Sequence, residues 1–223
     1  MLIPELMELG SGLMSLRITS CRNESGMAEV TNAVLKMSLV PGSSVDNFHQ
    51  GGAGCRVDVA TGEVGPAFDS WSRQPCVRHE THPVTGARIA GRILPCWPET
   101  VAMVAKCANL FPDRTTIGFD VAITDRGPVI IEGNVQQSAE NVQRTHDLPV
   151  GRQRLGVLLA WNAERALATR PPAVLKWFGP FKLWNGRVFG MRAGRGILVN
   201  QRRVEAMLIL MWAMIVAWIS LSD

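Results

Sequence analysis

Residues 117–134 (IGFDVAITDRGPVIIEGN) bring together the side chains best suited to chemistry. The turn Asp125-Arg126-Gly127 predicts a three-residue hairpin loop, with Gly127 supplying the left-handed conformation such loops commonly need. Pairing centred on Arg126 puts Ile123 opposite Val129, Ala122 opposite Ile130, Val121 opposite Ile131, and Asp120 opposite Glu132. Because side chains alternate along a strand, Val121, Ile123, Val129 and Ile131 are expected on one apolar face, with Asp120, Glu132 and Asn134 on the other. Like charges directly opposite one another are destabilising. A divalent cation resolves that conflict, and oxygen donors of this kind suit Mg2+ or Mn2+, with nucleotide phosphates and water completing the shell. Two plainer readings stand beside it: a solvated acid pair at the hairpin mouth, or one proton shared between the acids.

The elements that must position this hairpin are short. Residues 16–22 and 28–40 read as two antiparallel strands about the turn Asn23-Glu24-Ser25-Gly26. A glycine-rich stretch, 41–66, contains a short VDVA strand closed at Thr61-Gly62. Residues 67–98 show no periodicity and predict irregular structure, with a short strand near Ile89–Leu94. From Pro98, Glu99 in a first turn and Val101, Val104, Ala105 and Ala108 at helical spacing predict a packed amphipathic helix ending at Phe111-Pro112. Residues 151–169 predict a second helix, and Pro171-Pro172 a boundary. The chain therefore divides into a domain over 1–170 and, over 171–223, a basic extension ending in an apolar helix.

Composition narrows the class. Hydrophobic residues are 47% and charged residues 19% of 223, with 21 Gly and 13 Pro, which fits a globular α+β chain with many turns: an antiparallel sheet with packed helices. The five cysteines form no CxxC pair and MLIPELMELGSG lacks a basic leader, so a reducing, cytoplasmic setting without zinc or a disulfide framework is expected. A net charge of +4 with no aromatic-interleaved basic motif excludes nucleic acid as the expected partner. His49, His79 and His82 read as ordinary loop histidines, since no third ligand has suitable spacing. The apolar run Ala206–Leu221, preceded by Arg202 and Arg203, offers either a membrane contact or a packing helix.

The strings Val45-Asp46-Asn47-Phe48-His49-Gln50-Gly51-Gly52, Gly118-Phe119-Asp120 and Gly127-Pro128-Val129-Ile130-Ile131-Glu132-Gly133-Asn134 resemble the ATP-grasp ligases related to the alpha-L-glutamate ligases. His82-Pro83-Val84-Thr85-Gly86 and Gly91-Arg92-Ile93-Leu94-Pro95-Cys96-Trp97 resemble the sugar-transfer-associated branch, and the resemblance spans about residues 3–165. It implies ATP and Mg2+ (or Mn2+) as cofactors, and amide formation between a carboxylate and an amine through an acyl phosphate. The substrates would be small molecules or peptide- or sugar-linked. It implies Asp120, Glu132 and Asn134 as metal ligands, Arg17 and Lys36 as catalytic cations facing phosphate, and Asn47, Gly51 and Gly52 as the phosphate-side loop. Family members often carry Arg at the position of Lys36, and Lys keeps the charge without the bidentate fork. Little chain precedes Arg17, so the expectation is the C-terminal half of an ATP-grasp fold, working with a complementary N-terminal half that holds adenine. Two alternatives carry different consequences: a non-catalytic metal- or nucleotide-binding module, and a membrane-associated interaction protein.

Overall fold

The structure, a computed structural model, describes residues 6, 8–9, 14–40, 52–69, 77–135 and 139–169. In chain order these form β1 (Ser15–Arg22), β2 (Ala28–Ser38), β3 (Gly52–Val57), β4 (Val64–Asp69), β5 (Arg78–His79), α1 (Trp97–Asn109), β6 (Thr116–Thr124), β7 (Gly127–Asn134), α2 (Ala139–His146), a 3-10 turn (Val150–Arg152) and α3 (Arg154–Thr169). Two compact units divide at Leu155/Gly156, and all the strands belong to the first.

The strands make one antiparallel sheet in the order β5-β4-β3-β2-β1-β6-β7. β1 therefore lies between β2 and β6, which is what brings the first hairpin to the carboxylate hairpin. The turn between β1 and β2 is built by Asn23, whose Oδ1 accepts from the backbone N–H of Ser25 and of Met27, both at 3.1 Å, while Gly26 takes φ +82°.

One sheet face is the core. Leu16, Ile18, Leu35, Met37, Cys55, Val57, Phe119, Val121 and Ile123 alternate onto it, and the buried side of α1 (Trp97, Val104, Ala108) belongs to the same cluster. The predicted helix is found, starting one residue earlier, at Trp97. Its C-terminus is closed by Arg22 from the end of β1, whose guanidinium donates to the carbonyls of Ala108 (2.9 Å), Phe111 (2.7 Å), Arg114 (3.3 Å) and Gly26 (3.2 Å) and to Asn109 Oδ1 (2.8 Å). A cation there satisfies carbonyls that the helix leaves unpaired and opposes the negative end of its dipole.

The predicted turn at Thr61-Gly62 joins β3 to β4, and Gly62 is needed there twice over. Its φ is +78°, and an added Cβ would lie 2.6 Å from the Trp97 ring, which itself donates Nε1–H to Val59 O at 2.9 Å. The strand expected near Ile89–Leu94 is not formed; that stretch makes one bridge, Glu63 to Ile93. Gly91 at φ +82° bends the chain out of extension, and the groups on either side bond singly to the β3–β4 hairpin: Gly91 N–H to Val64 O, Leu94 N–H to Gly62 O.

The pairing of β6 with β7 also departs from expectation. Gly127 takes the left-handed φ of +100° as anticipated, but it already pairs with Thr124. The partners become Ile123 with Pro128, Ala122 with Val129 and Val121 with Ile130, and a β-bulge between Val121 and Asp120 then restores Asp120 opposite Glu132. Ile131 is the extra residue. Consequently Ile130 packs on the core, whereas Val129 and Ile131, expected there, are 49% and 50% exposed. The shorter turn places Ile130 opposite Val121, on the core side.

Candidate functional site

The face of the sheet turned away from the core carries the charged residues, and strand register brings them together. Arg17 on β1 is directly opposite Asp120 on β6, and Asp120 is opposite Glu132 on β7. On the other side Arg17 pairs with Val34 of β2, so Lys36, two residues on, shares its face. Lys36, Arg17, Asp120 and Glu132 thus come from four adjacent strands, β2-β1-β6-β7. Asn134 shares the Glu132 side of β7 and donates Nδ2–H to Glu132 Oε1 at 2.8 Å.

The bulge at Ile131 is what makes this arrangement possible. With regular pairing continued from the turn, Ile131 would face Asp120, and Glu132 would fall opposite Phe119 on the core side. One inserted residue re-aims every later side chain of β7. The acid pair predicted from an unbroken register is therefore present, but for a different reason.

Asp120 is the centre of the row. Its Oδ1 accepts from Arg17 Nε at 2.5 Å, and its Oδ2 accepts from Arg17 Nη2 at 3.0 Å and from Lys36 Nζ at 3.2 Å. Burial of this carboxyl pushes its pKa up; the hydrogen bonds from Arg17 and the charges of Lys36 and Arg17 outweigh that and hold it below the ordinary aspartate value. Glu132, by contrast, is exposed.

Gly52 opens β3 opposite Ser38, and Gly54 lies opposite Lys36, so the strand beside the ammonium group carries no side chain at either place. Asn47 and Gly51, the other two loop residues singled out from the sequence, lie outside the described residues, as does His49. His82 is buried and structural: its Nε2 bonds Ser38 O at 2.9 Å, while Nδ1 accepts from the N–H groups of Val84 and Thr85. It ties the segment after β5 to the end of β2, where the glycine-rich loop begins. His79 Nε2 lies 3.6 Å from Asp69 Oδ2, away from the acid pair on β4 and β5.

The far end of the charged face is closed. α2 packs over β2 and β3, and Gln153 reaches back to Asn32 of β2, Oε1 accepting from Nδ2 at 2.5 Å. A cavity of about 140 Å³ lined by Leu6, Leu9, Leu35 and Val64 lies on the core side of β2, opposite Lys36, and has no part in the charged row.

Among the described residues no three His, Cys, Asp or Glu side chains converge, so a metal held here would have two carboxylates and one amide from this chain. Such a set fits an ion that keeps most of its oxygen shell from water and phosphate, as Mg2+ does, and does not fit a closed tetrahedral zinc site. The cations beside Asp120 suit phosphate oxygens equally well.

An antiparallel α+β sheet bearing a paired carboxylate hairpin and two strand-borne cations is consistent with an ATP-grasp domain. The family model described as sugar-transfer associated ATP-grasp matches residues 4–148, well over half of the chain, and the chain belongs to that family. Membership makes ATP binding and ATP-dependent, ligase-like chemistry its general class of function. No curated protein and no solved structure matches the chain.

Sequence reasoning did not anticipate that Arg17 and Lys36 would bond Asp120 directly. It also missed the role of Arg22. The resemblance implied that Arg17 and Lys36 border the acid face but not that they bond to it, and for Arg22 the signal was weak, an arginine at the end of one strand. Residues 171–223, including Ala206–Leu221, lie outside the described residues, and among those described no helix is long and apolar enough to cross a membrane.

Proposed function

We propose that this chain is the metal- and phosphate-binding part of an ATP-dependent carboxylate–amine ligase that forms an amide through an acyl phosphate. Asp120, Glu132 and Asn134 hold Mg2+ or Mn2+, whose role when bound is to bridge and neutralise phosphate oxygens. Arg17 and Lys36 neutralise the transferring phosphoryl group or the acyl phosphate, and Asn47, Gly51 and Gly52 line the phosphate side. A complementary nucleotide-binding half supplies the adenine pocket. The observation that carries this reading is the row Lys36-Arg17-Asp120-Glu132 across four neighbouring strands, which sets cations and acids side by side on the open face of the sheet.

The charges are arranged for phosphoryl chemistry. The bidentate guanidinium holds the Asp120 carboxylate in one plane, and the exposed Glu132 accepts from Asn134 on the same strand. A second reading, a module that binds metal or nucleotide without ligation, draws on the same engagement of Asp120 by both cations.

Titration of the chain with a non-hydrolysable ATP analogue and Mg2+, with and without the complementary half, tests the proposal. Tight binding only when both parts are present, abolished by Asp120→Asn or Glu132→Gln, is the expected result. ATP turnover by the purified chain alone would overturn the division of labour. Unchanged nucleotide binding in both acid variants would overturn the site.

A further inference from the structure

Both oxygens of Asp120 are already engaged. Arg17 takes Oδ1 at 2.5 Å and Oδ2 at 3.0 Å, and Lys36 takes Oδ2 at 3.2 Å. All three side chains are largely withdrawn from water, at 11% exposure for Asp120, 24% for Arg17 and 15% for Lys36. In the row as a whole two cations balance two carboxylates. A divalent ion joining Asp120 to Glu132 must therefore compete with two cations for their shared carboxylate. It would then sit beside both of them, where water screens poorly. A polyphosphate does the reverse. Its oxygens offer the guanidinium and ammonium groups the same partner chemistry as the carboxylate, with more charge.

We propose that the Arg17–Asp120–Lys36 clasp couples the binding of metal to that of polyphosphate, each weak without the other. Polyphosphate draws the two cations off Asp120, and the released carboxylate then joins Glu132 and Asn134 as a metal ligand. Coupling of this kind is reciprocal, so each ligand raises the affinity for the other. The device keeps a metal from occupying the acids tightly without nucleotide, and it uses the same two cations in both states. It rests on the metal-and-phosphate reading of this face.

The two ideas separate by Mn2+ binding to the full chain without nucleotide, followed by the paramagnetic resonance of the unbound ion. The wild-type chain is expected to bind weakly, and Lys36→Met to bind about tenfold more tightly, a size typical of coupling between sites. Arg17→Gln should act in the same direction. Arg56, on the same face but bonded to neither acid, supplies the control: Arg56→Gln removes an equal charge and should change the affinity much less. Adding Asp120→Asn to Lys36→Met should erase the gain. If Lys36→Met and Arg17→Gln bind Mn2+ no more tightly than Arg56→Gln, the clasp is overturned. Tight binding by the wild type that Asp120→Asn removes would also overturn it, while leaving the metal site standing. No binding by any variant would remove the metal site and the clasp together.

Discussion

Replacing Asp120 by Asn tests the charged row through stability alone. The substitution keeps the shape of the side chain and leaves Arg17 and Lys36 without their common counter-charge. An exposed ion pair contributes roughly 0–1 kcal/mol, while removing one partner of a buried pair costs about 3–5 kcal/mol. Side-chain exposures of 11%, 24% and 15% for Asp120, Arg17 and Lys36 lie between those limits. We therefore expect a loss of about 2 kcal/mol, partly relieved because both cations can turn towards water. For a chain of 223 residues that is a fall in Tm of about 4–8 °C. The exposed Glu132 gives the contrast, since Glu132→Gln should stay within about 0.5 kcal/mol of wild type. The pH dependence has a definite sign. The folded-state pKa of Asp120 is lowered, so its contribution is complete above the ordinary aspartate value and is lost as pH falls through the lowered one. Urea midpoints for wild type and Asp120→Asn should thus differ at about pH 6 and converge as the solution is acidified below about pH 4. Equal midpoints at neutral pH, or a gap that widens in acid, would refute the reasoning.

Three further outcomes follow from particular contacts. Arg22→Met should lower stability by about 2–3 kcal/mol in thermal denaturation, because several carbonyls at the end of α1 lose a charged donor in a buried place; a loss under about 0.5 kcal/mol would mean that water replaces the cap. Gly26→Ala and Gly62→Ala both force alanine into a positive φ, which costs about 1–2 kcal/mol, but only Gly62 also meets the Trp97 ring, so its midpoint should fall clearly further; equal losses would count against the packing of that turn. Deleting Ile131 removes the extra residue and leaves Ile130 opposite Val121 and Glu132 opposite Asp120 in regular pairing, so nucleotide-dependent Mg2+ binding by the chain with its proposed nucleotide-binding half should survive, with a crystal structure of the variant showing the bulge gone. Loss of binding with Glu132 turned to the core side would show that Ile131 is not the residue the bulge absorbs.

Local pattern was enough for much of this chain. The two hairpins, the amphipathic helix from Trp97 and the turn at Gly62 are each written in a few consecutive residues: Asn23 and Gly26, the spacing of Val104 and Ala108, Gly62 itself. The motifs about Asp120 and Glu132 likewise carried the family, because they are contiguous strings. Alternation along β7 was less dependable. It depends on the register set at the turn, and the shorter turn exchanged Ile130 for Val129 and Ile131 on the core side before the bulge restored Glu132 opposite Asp120.

What only the tertiary structure decided is which strands are neighbours. Nothing in residues 15–38 states that β1 will pair with β6, yet that pairing turns a surface arginine and lysine into the partners of Asp120. The Arg22 cap and the absence of a strand at Ile89–Leu94 have the same origin, since both depend on groups distant in sequence that satisfy backbone polar atoms. The sequence by itself determined the hairpins, the helix and the acids with their spacing. Long-range pairing, driven by burial of one apolar sheet face, determined that cations and carboxylates meet on the other.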